Sequence, residues 1–355
     1  MKRHGNLWPE LVSFENLLRA AVKARRGKRF RPSVASFEYG LEAELWKLHD
    51  ELVAGSYRPG AYRSFRIFEP KERLISAAPY RDRVVHHALT SILDRIYDPT
   101  FIEDSYACRR GKGTHAAVAR CQHFARRFRY VFKADISKFF PSIDHEILTS
   151  LIARKVKDPD VLRLVGQIVD HSNPQESVGC WFAGDDLFSP IERRRGIPIG
   201  NQTSQFFANV YLDPLDHFIK EDLRIQGYVR YVDDFLLFAN DKRALSHARA
   251  EIATFLRRLR LRLHPKKNVV FPVKEGTRFL GYRVYSTHRL IVKENVWRFL
   301  RRGRKMQDEY RQGHITLPEI RRRLMSWSGH ASQADTHRLR EYLFDMLVFQ
   351  RASTE

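Results

Sequence analysis

The feature that most constrains the fold of this chain is an Asp-Asp pair between two runs of strand-forming residues. The runs are 228–232 and 235–239, and the acids between them are Asp233 and Asp234. Aromatic and aliphatic residues favour strands, and the acids stand where a tight turn fits. The pattern predicts a β-hairpin with both aspartates at its tip. Strand alternation places Tyr231 and Asp233 on one face and points Asp234 away from it.

A second acidic stretch comes earlier in the chain. A predicted strand ends at Asp135, and Asp144 supplies an acidic N-cap for the helix that follows. A strand-end carboxylate beside a hairpin-tip carboxylate suits two-metal phosphoryl transfer, in which two Mg²⁺ ions about 3.5–4 Å apart contact the attacking and leaving oxygens. The hairpin alone could equally be an Asp-Asp turn between edge strands. Together the two stretches favour a metal-dependent enzyme.

The charge balance points to a polyanionic partner. Lysines and arginines number 63 against 41 acids, which gives a formal net charge of +22. Nucleic acid is the natural partner, because it would offset the self-repulsion of so many cations. A basic membrane-surface protein is the alternative, but no apolar run of about 18 residues supports it. Three cysteines are too few for a disulfide framework or a zinc site, so we expect a reduced, cytoplasmic location.

The first hundred residues read as helices interrupted by one strand pair. Residues 10–31 predict a helix that runs into a basic arm, which is either a solvated face or a contact to phosphates. Apolar residues spaced three or four apart from Phe37 to Leu52 predict a second helix. Two strands joined by a turn follow at 62–75, and then a helix from Arg81 to about Tyr97. His86 and His87 are adjacent on that helix, so they are expected to be structural or RNA-facing rather than metal ligands.

Both acidic stretches, with their flanks, resemble the palm of reverse transcriptases. The resemblance implies an α+β right-hand polymerase fold with fingers, a palm made of an antiparallel sheet with helices, and a small helical thumb. It implies an RNA-directed DNA polymerase that uses dNTPs and two Mg²⁺ ions, or Mn²⁺, on template RNA and the RNA–DNA duplex. The implied domains are a basic N-terminal helical extension (1–60), fingers with part of the palm (61–130 and 145–200), palm (131–144 and 201–285) and helical thumb (286–355).

The same resemblance assigns roles to single positions. The catalytic positions are Asp135, Asp233 and Asp234, of which Asp234 is the weaker candidate because of its predicted direction. The metal-binding positions are Asp135, Ile136, Asp233 and Asp234. The nucleotide-binding positions are Lys71, Arg73, Phe140, Ile199, Gly200, Ser204, Gln205 and Lys267.

Four of these nucleotide-binding positions carry a specific expectation. Lys71 and Arg73 match the fingers cations that hold the triphosphate, or are simply a surface pair. Phe140 would clash with a ribose 2′-hydroxyl and so select deoxynucleotides, unless it is a core residue. Lys267 matches a lysine proposed to protonate the departing pyrophosphate, or is a surface lysine.

The segment 196–205 departs from the pattern of most reverse transcriptases, which have glutamine before the glycine and proline after the serine. Here those positions are Ile199 and Gln205. This form, with Arg-Tyr-Val-Asp-Asp-Phe at 230–235 and Phe-Leu-Gly-Tyr at 279–282, resembles the enzymes of diversity-generating retroelements over roughly residues 28–345. The resemblance implies that a template-repeat RNA is copied with errors at adenines. It also implies a small, basic, oligomeric accessory variability protein as a partner.

Two other functions stay open at this point. A non-catalytic, maturase-like RNA-binding scaffold could use the same fold, although it would have no need for three clustered carboxylates. A stand-alone or phage-defence reverse transcriptase would catalyse the same reaction in a different biological role.

The C-terminal part is expected to bind the template–primer duplex. The segment 277–284 resembles the hairpin that grips the primer, and the chain from Glu294 on is expected to be helical. Nine lysines and arginines stand against three acids between Val296 and Arg323. The apolar positions expected to bury one side of these helices are Trp297, Leu300, Leu324, Trp327, Leu339, Leu343 and Leu347.

Overall fold

The computed structural model describes residues 2–68, 72–172 and 180–351. The helices are α1 (Trp8–Val12), α2 (Phe14–Ala24), α3 (Pro32–Tyr39), α4 (Leu41–Val53), α5 (Tyr80–Tyr97), α6 (Thr114–Arg127), α7 (Phe139–Ser142), α8 (His145–Ala153), α9 (Pro159–Asp170), α10 (Ser189–Glu192), α11 (Gln202–His217), α12 (Lys242–Arg258), α13 (Lys293–Arg311), α14 (Leu317–Ala331) and α15 (His337–Asp345). The strands are β1 (Arg63–Ile67), β2 (Arg73–Ala77), β3 (Tyr130–Asp135), β4 (Gly227–Tyr231), β5 (Asp234–Ala239), β6 (Val269–Pro272), β7 (Thr277–Phe279), β8 (Tyr282–Val284) and β9 (Arg289–Ile291).

A four-stranded antiparallel sheet in the order β4-β5-β3-β6 forms the centre of the molecule. Strand β3 lies between β5 and β6, and its last residue, Asp135, is paired directly with Asp234. The predicted hairpin is confirmed as β4 and β5, with Tyr231 paired to Asp234. The two turn residues are therefore Val232 and Asp233, and Asp234 already belongs to a strand.

Helices cover the sheet and share one large hydrophobic core with it. Buried residues of the N-terminal helices, such as Leu17 and Leu45, belong to the same core as Phe235 and Leu237 of β5. The spacing of apolar residues correctly predicted which residues of α4 join this core, because Leu45, Leu48 and Leu52 are all buried. The single helix expected there is divided at Gly40 into α3 and α4.

One helix boundary predicted from the sequence is wrong. Asp213 and Pro214 have the residue types of an N-cap and a first-turn proline, which predicts that one helix ends near Leu212 and another begins there, but α11 continues through Pro214. The Asp213 carboxylate does not cap a helix; it lies 3.7 Å from the Lys155 ammonium and 3.4 Å from His217. A π-helical turn, Phe218–Asp222, follows directly and adjusts the backbone after the proline.

The two adjacent histidines on helix α5 are both removed from water to different degrees. His86 is buried, and burial lowers its pKa to about 3, because a charged imidazole is unfavourable away from water. His87 is half-buried, and burial together with Lys23, Lys28 and Arg83 lowers its pKa to about 4. Neither residue is part of a group of metal ligands within the described ranges.

Helices α13 to α15 and the small sheet β7-β8-β9 form the C-terminal part. The buried face of α13 is made by Phe299, Gly303, Met306 and Tyr310. Trp297 was wrongly expected to be buried, since it is 70% exposed. It lies two residues before Phe299, which is about 200° around a helix, and so it faces solvent.

No helix in the described ranges is both long enough and apolar enough to span a bilayer.

Candidate active site

Three carboxylates meet at one end of the central sheet. Asp135 ends β3, and Asp234 begins β5 directly opposite it, where the Cβ atoms of cross-strand partners are typically about 4.5–5.5 Å apart. Asp233 occupies the adjoining turn. All three line a cleft of about 590 Å³. The prediction that Asp234 points away was wrong, because the turn is one residue earlier than expected and Asp234 shares a face with Asp135.

Asp135 is held by the segment that leads into β6. The Asn268 side-chain oxygen accepts a hydrogen bond from the Asp135 backbone N–H at 3.1 Å, and the His264 N–H donates to the Asp135 carbonyl at 2.8 Å. The Lys267 ammonium forms an ion pair with the Asp135 carboxylate. Lys267 was predicted from motif position alone, and the structure places it against the carboxylate.

The electrostatics of the cleft oppose the accumulation of negative charge. Burial raises the pKa of Asp233, and Asp135 adds to this effect while Arg73 and Lys267 oppose it. Burial raises the pKa of Asp234 to about 6; Lys133, 3.8 Å away, opposes the rise, and the other two carboxylates reinforce it. Carboxylates crowded in this way are stabilised by cations, here the ammonium groups of Lys133 and Lys267.

The donor set fits a hard divalent cation. Mg²⁺ prefers oxygen ligands, and Asp135, Asp233 and Asp234 supply only oxygens. One carboxylate oxygen of Asp234 is buried without a hydrogen-bond partner, so it has capacity for a cation. Ile136 could add only its backbone carbonyl. As they stand in the described part of the chain, these three carboxylates share the cleft, but no three His, Cys, Asp or Glu side chains are close enough together to hold one metal ion.

The structure brings together only part of the predicted nucleotide-binding set. Arg73, Phe140, Ile199 and Lys267 line the same cleft as the carboxylates. Lys71 lies outside the described residues.

Three predicted residues do not line this cleft: Gly200, Ser204 and Gln205. Ser204 is buried in α11, and Gln205 is exposed and accepts a hydrogen bond from Cys108 Sγ at 3.1 Å. Gly200 has φ +118°, and a Cβ there would come within 3.0 Å of Ile75. Its contribution is close packing of this segment against β2.

One wall of the cleft is built by contacts between the segment after β3 and the segment before α11. The Ile197 N–H donates to the Phe140 carbonyl at 3.1 Å, and the Ser76 N–H of β2 donates to the Ile199 carbonyl at 3.1 Å. Asn201, which is not among the predicted site residues, donates a hydrogen bond from its side-chain amide to the Ser76 carbonyl and accepts one from the Ala78 N–H. Phe140 and Ile199 therefore share a wall that is fixed to the β1–β2 hairpin.

Several residues that line the cleft were not predicted from the sequence. Lys133, His264 and Leu280 all line the cleft. Lys133 could have been found, because it lies two residues before Asp135 on a strand and must share its face. Leu280 lies in the turn between β7 and β8 and has φ +48°. Nothing in its local sequence indicates contact with the acidic cleft.

The chain matches the family "Reverse transcriptase (RNA-dependent DNA polymerase)" over residues 68–284, more than half of its length. It belongs to this family. The fold is accordingly the right-hand polymerase fold, and the protein is an RNA-directed DNA polymerase with template RNA and dNTPs as substrates. Reverse transcriptase domains generally use divalent metal ions, typically Mg²⁺.

The individual proteins and structures that this chain resembles share only low sequence identity with it. Protein YkfC of Escherichia coli (strain K12) is 26% identical over 286 residues, which cover 69% of this chain and 72% of YkfC. The Group II intron-encoded protein LtrA of Lactococcus lactis subsp. cremoris is 24% identical over 212 residues, 58% of this chain but only 34% of LtrA. The telomerase of Candida albicans has a TM-score of 0.46 at 13% identity, over 66% of this chain and 46% of the telomerase chain.

Proposed function

We propose that this reverse transcriptase serves a diversity-generating retroelement and copies a template-repeat RNA into cDNA with errors biased to adenines. The observation that carries the proposal is Ile199, which lines the acidic cleft at the position where most reverse transcriptases have glutamine. An isoleucine side chain has no hydrogen-bond donor or acceptor with which to check the placement of the nucleotide. The partner we propose is a small, basic, oligomeric accessory variability protein.

The catalytic roles that we propose belong to residues that line the cleft. Asp135, Asp233 and Asp234, with the Ile136 carbonyl, would hold the divalent ions. When bound, such ions lower the pKa of the primer 3′-hydroxyl and neutralise charge on the triphosphate. Arg73, at the start of β2, lines the same cleft and would contact the phosphates.

The Lys267 ammonium carries a proton that it could donate to the departing pyrophosphate. This ammonium is paired with Asp135, so it would lie beside the metal ions that we propose the carboxylates hold.

Phe140→Ala should allow ribonucleotides to be incorporated. The ring lines the cleft, and its removal opens space for a 2′-hydroxyl. Relief of a steric clash of about 1–3 kcal/mol would raise the rNTP rate relative to dNTP by roughly 5–150-fold. The measurement compares both rates on one template. Phe132→Leu, at a buried ring of β3 that does not line the cleft, should keep the parent's preference, and an unchanged preference in Phe140→Ala would make Phe140 a packing residue only.

Ile199→Gln should lower misincorporation opposite template adenine without abolishing extension. Glutamine can donate a hydrogen bond to a correctly placed nucleotide, and a neutral bond is worth about 0.5–1.5 kcal/mol, or up to about tenfold in error rate. The measurement is sequencing of cDNA made from an adenine-rich RNA.

The matched control for this experiment is Ile199→Leu, which changes the shape of the side chain but adds no polar group. It should keep the parent's error rate at adenines. Equal errors at adenines in the Gln variant and the parent would show that the infidelity arises elsewhere in the cleft.

A candidate surface for binding template RNA lies outside the cleft, where the end of α2 meets α5. Burial and two neighbouring arginines, Arg83 and Arg31, lower the pKa of Lys28. Cations that repel one another in this way are stabilised by a polyanion. Phe30 and Tyr39, 98% and 97% exposed, lie near these residues in sequence and could stack on unpaired bases.

The relatives favour a second candidate function. LtrA is named as a group II intron-encoded protein, so an intron-linked role would fit the same polymerase. Genomic context separates the two: a template-repeat and variable-repeat pair with a small accessory gene supports the retroelement, and a flanking intron supports the alternative. A purely non-catalytic scaffold would give no product in primer extension.

A further inference from the structure

Arg230 is the largest side chain that is fully buried in the described part of the chain. Its guanidinium binds the Asp216 carboxylate through two hydrogen bonds, Nε to Oδ1 at 2.7 Å and Nη2 to Oδ2 at 2.6 Å. The Tyr228 hydroxyl donates a third hydrogen bond to Asp216 at 2.7 Å. Burying such a pair costs desolvation energy, and apolar replacements of buried ion pairs are often as stable or more so. Stability alone therefore does not explain this ion pair.

The remaining guanidinium hydrogens reach the turn after β4, the loop before α6 and a second residue of the helix that carries Asp216. Nη1 donates to the Val232 carbonyl at 3.1 Å and to the Asn209 side chain at 3.2 Å, and Nη2 donates to Ser105 Oγ at 3.0 Å. Asn209 and Asp216 both belong to α11, and Ser105 lies in the loop before α6. We name Arg230, Asp216, Asn209 and Ser105 the Arg230 cluster.

Val232 is the turn residue that this cluster contacts, through the hydrogen bond from Arg230. It precedes Asp233 in the two-residue turn and has φ +57°, a conformation that a β-branched residue rarely adopts. Backbone strain of this kind costs on the order of 1–3 kcal/mol and persists only where surrounding contacts enforce it. The hydrogen bond from Arg230 to the Val232 carbonyl is such a contact.

Backbone hydrogen bonds also hold strand β4, which contains Arg230, against a neighbouring loop. The Arg230 N–H donates to the Asp104 carbonyl at 3.0 Å, and the Tyr106 N–H donates to the Arg230 carbonyl at 3.0 Å. Strand β4 is thus fixed on one side by residues 104–106 and on the other by β5. The guanidinium then ties the turn to α11, whose first residues follow the cleft wall at Ile199.

We infer that Arg230 is a positioning residue: through the Val232 carbonyl, the Arg230 cluster fixes the turn so that Asp233 stays beside Asp135. Arg230 does not line the cleft and would act only through the turn. The inference rests on the proposed role of Asp233 as a metal ligand. If Asp233→Asn stays active, that role fails; if Asp233→Asn is inactive while Arg230 variants are fully active, only the present inference fails.

The first test is Arg230→Lys, which keeps a positive charge near Asp216 but lacks the Nη1 group that donates to the Val232 carbonyl. We expect kcat to fall about 10–100-fold, with KM for dNTP and RNA affinity within about twofold of the parent, because only the placement of Asp233 changes. Mn²⁺ affinity, measured by electron paramagnetic resonance without substrates, should weaken by about tenfold or more.

The matched control is Asp82→Asn. Asp82 is equally buried and accepts hydrogen bonds from the Tyr57 hydroxyl at 2.9 Å and the Gly60 N–H at 2.7 Å, but it does not line the cleft. It should lower the melting temperature and leave kcat and Mn²⁺ affinity unchanged. Parent-like kcat and Mn²⁺ affinity in folded Arg230→Lys would overturn the inference.

A second variant covers the case in which Arg230→Lys does not fold. The triple change Tyr228→Phe, Asp216→Leu and Arg230→Met replaces the ion pair and its tyrosine partner with apolar groups, which buried sites commonly tolerate. We expect this variant to fold, with the same loss of kcat and Mn²⁺ affinity. A folded triple variant with parent-like values, or one that cannot fold at all, would show that the ion pair serves the fold and not the turn.

Discussion

Asp233→Asn is expected to abolish polymerisation while RNA affinity stays close to that of the parent. The side chain lies in the turn between β4 and β5, beside Asp135 and Asp234. Asparagine keeps its shape and removes one negative charge, which weakens binding of a divalent ion by the remaining oxygens. Since a metal ion stabilises the transition state by several kcal/mol, the rate should fall by about a thousandfold or more.

Single-nucleotide primer extension measures this effect, and filter binding of labelled RNA measures affinity on the same preparation. The control is Asp50→Asn, which removes an equal charge from an exposed position on α4 that does not line the cleft. It should extend primers at the parent's rate. Extension by Asp233→Asn near the parent's rate would refute the metal assignment.

RNA affinity is expected to fall by roughly 10³–10⁵ between 50 and 200 mM salt, if six to ten phosphates are contacted. Each cation that binds a phosphate releases a counterion from the RNA, and added salt opposes that release. The chain carries a net charge of +22, and its cations are concentrated around Lys28, Arg31 and Arg83 and along α13 and α14. These two surfaces are where we expect the phosphates to bind.

A plot of log affinity against log salt measures the number of phosphate contacts. Lys28→Gln combined with Arg31→Gln should reduce its slope by about two, because about one counterion is released per contact. Glu15→Gln with Glu42→Gln, at two exposed acids of α2 and α4, is the control and should not reduce the slope. A nearly flat plot for the parent would mean that base or shape recognition dominates and that the positive charge serves another purpose.

The sequence predicted the elements whose signals are local. The hairpin around Asp233, the helix cap at Asp144 and the strand pair before α5 all appear in the structure, because strand alternation, capping and turn chemistry act over a few residues. The capping carboxylate of Asp144 accepts the Ile147 N–H at 3.1 Å, as the pattern indicated. The resemblance to reverse transcriptases then related these elements to one another.

What the sequence could not predict depends on contacts between distant segments. The ion pair of Lys267 with Asp135 and the hydrogen bond of Arg230 to Ser105 exist only once β3, β4 and the loops before β6 and α6 are assembled. The turn was placed one residue late, because two aspartates look like turn residues and a valine with positive φ does not. The exposure of Trp297 was missed because only the neighbouring Phe299 fits the buried face of α13.

Error bias in the cDNA tests the central proposal most directly. The unmodified enzyme should copy an RNA that contains equal numbers of the four bases, and each product should be sequenced. A reverse transcriptase of a diversity-generating retroelement should place most of its errors opposite template adenines and copy the other three bases with far fewer. Errors spread evenly over the four template bases would contradict the proposal.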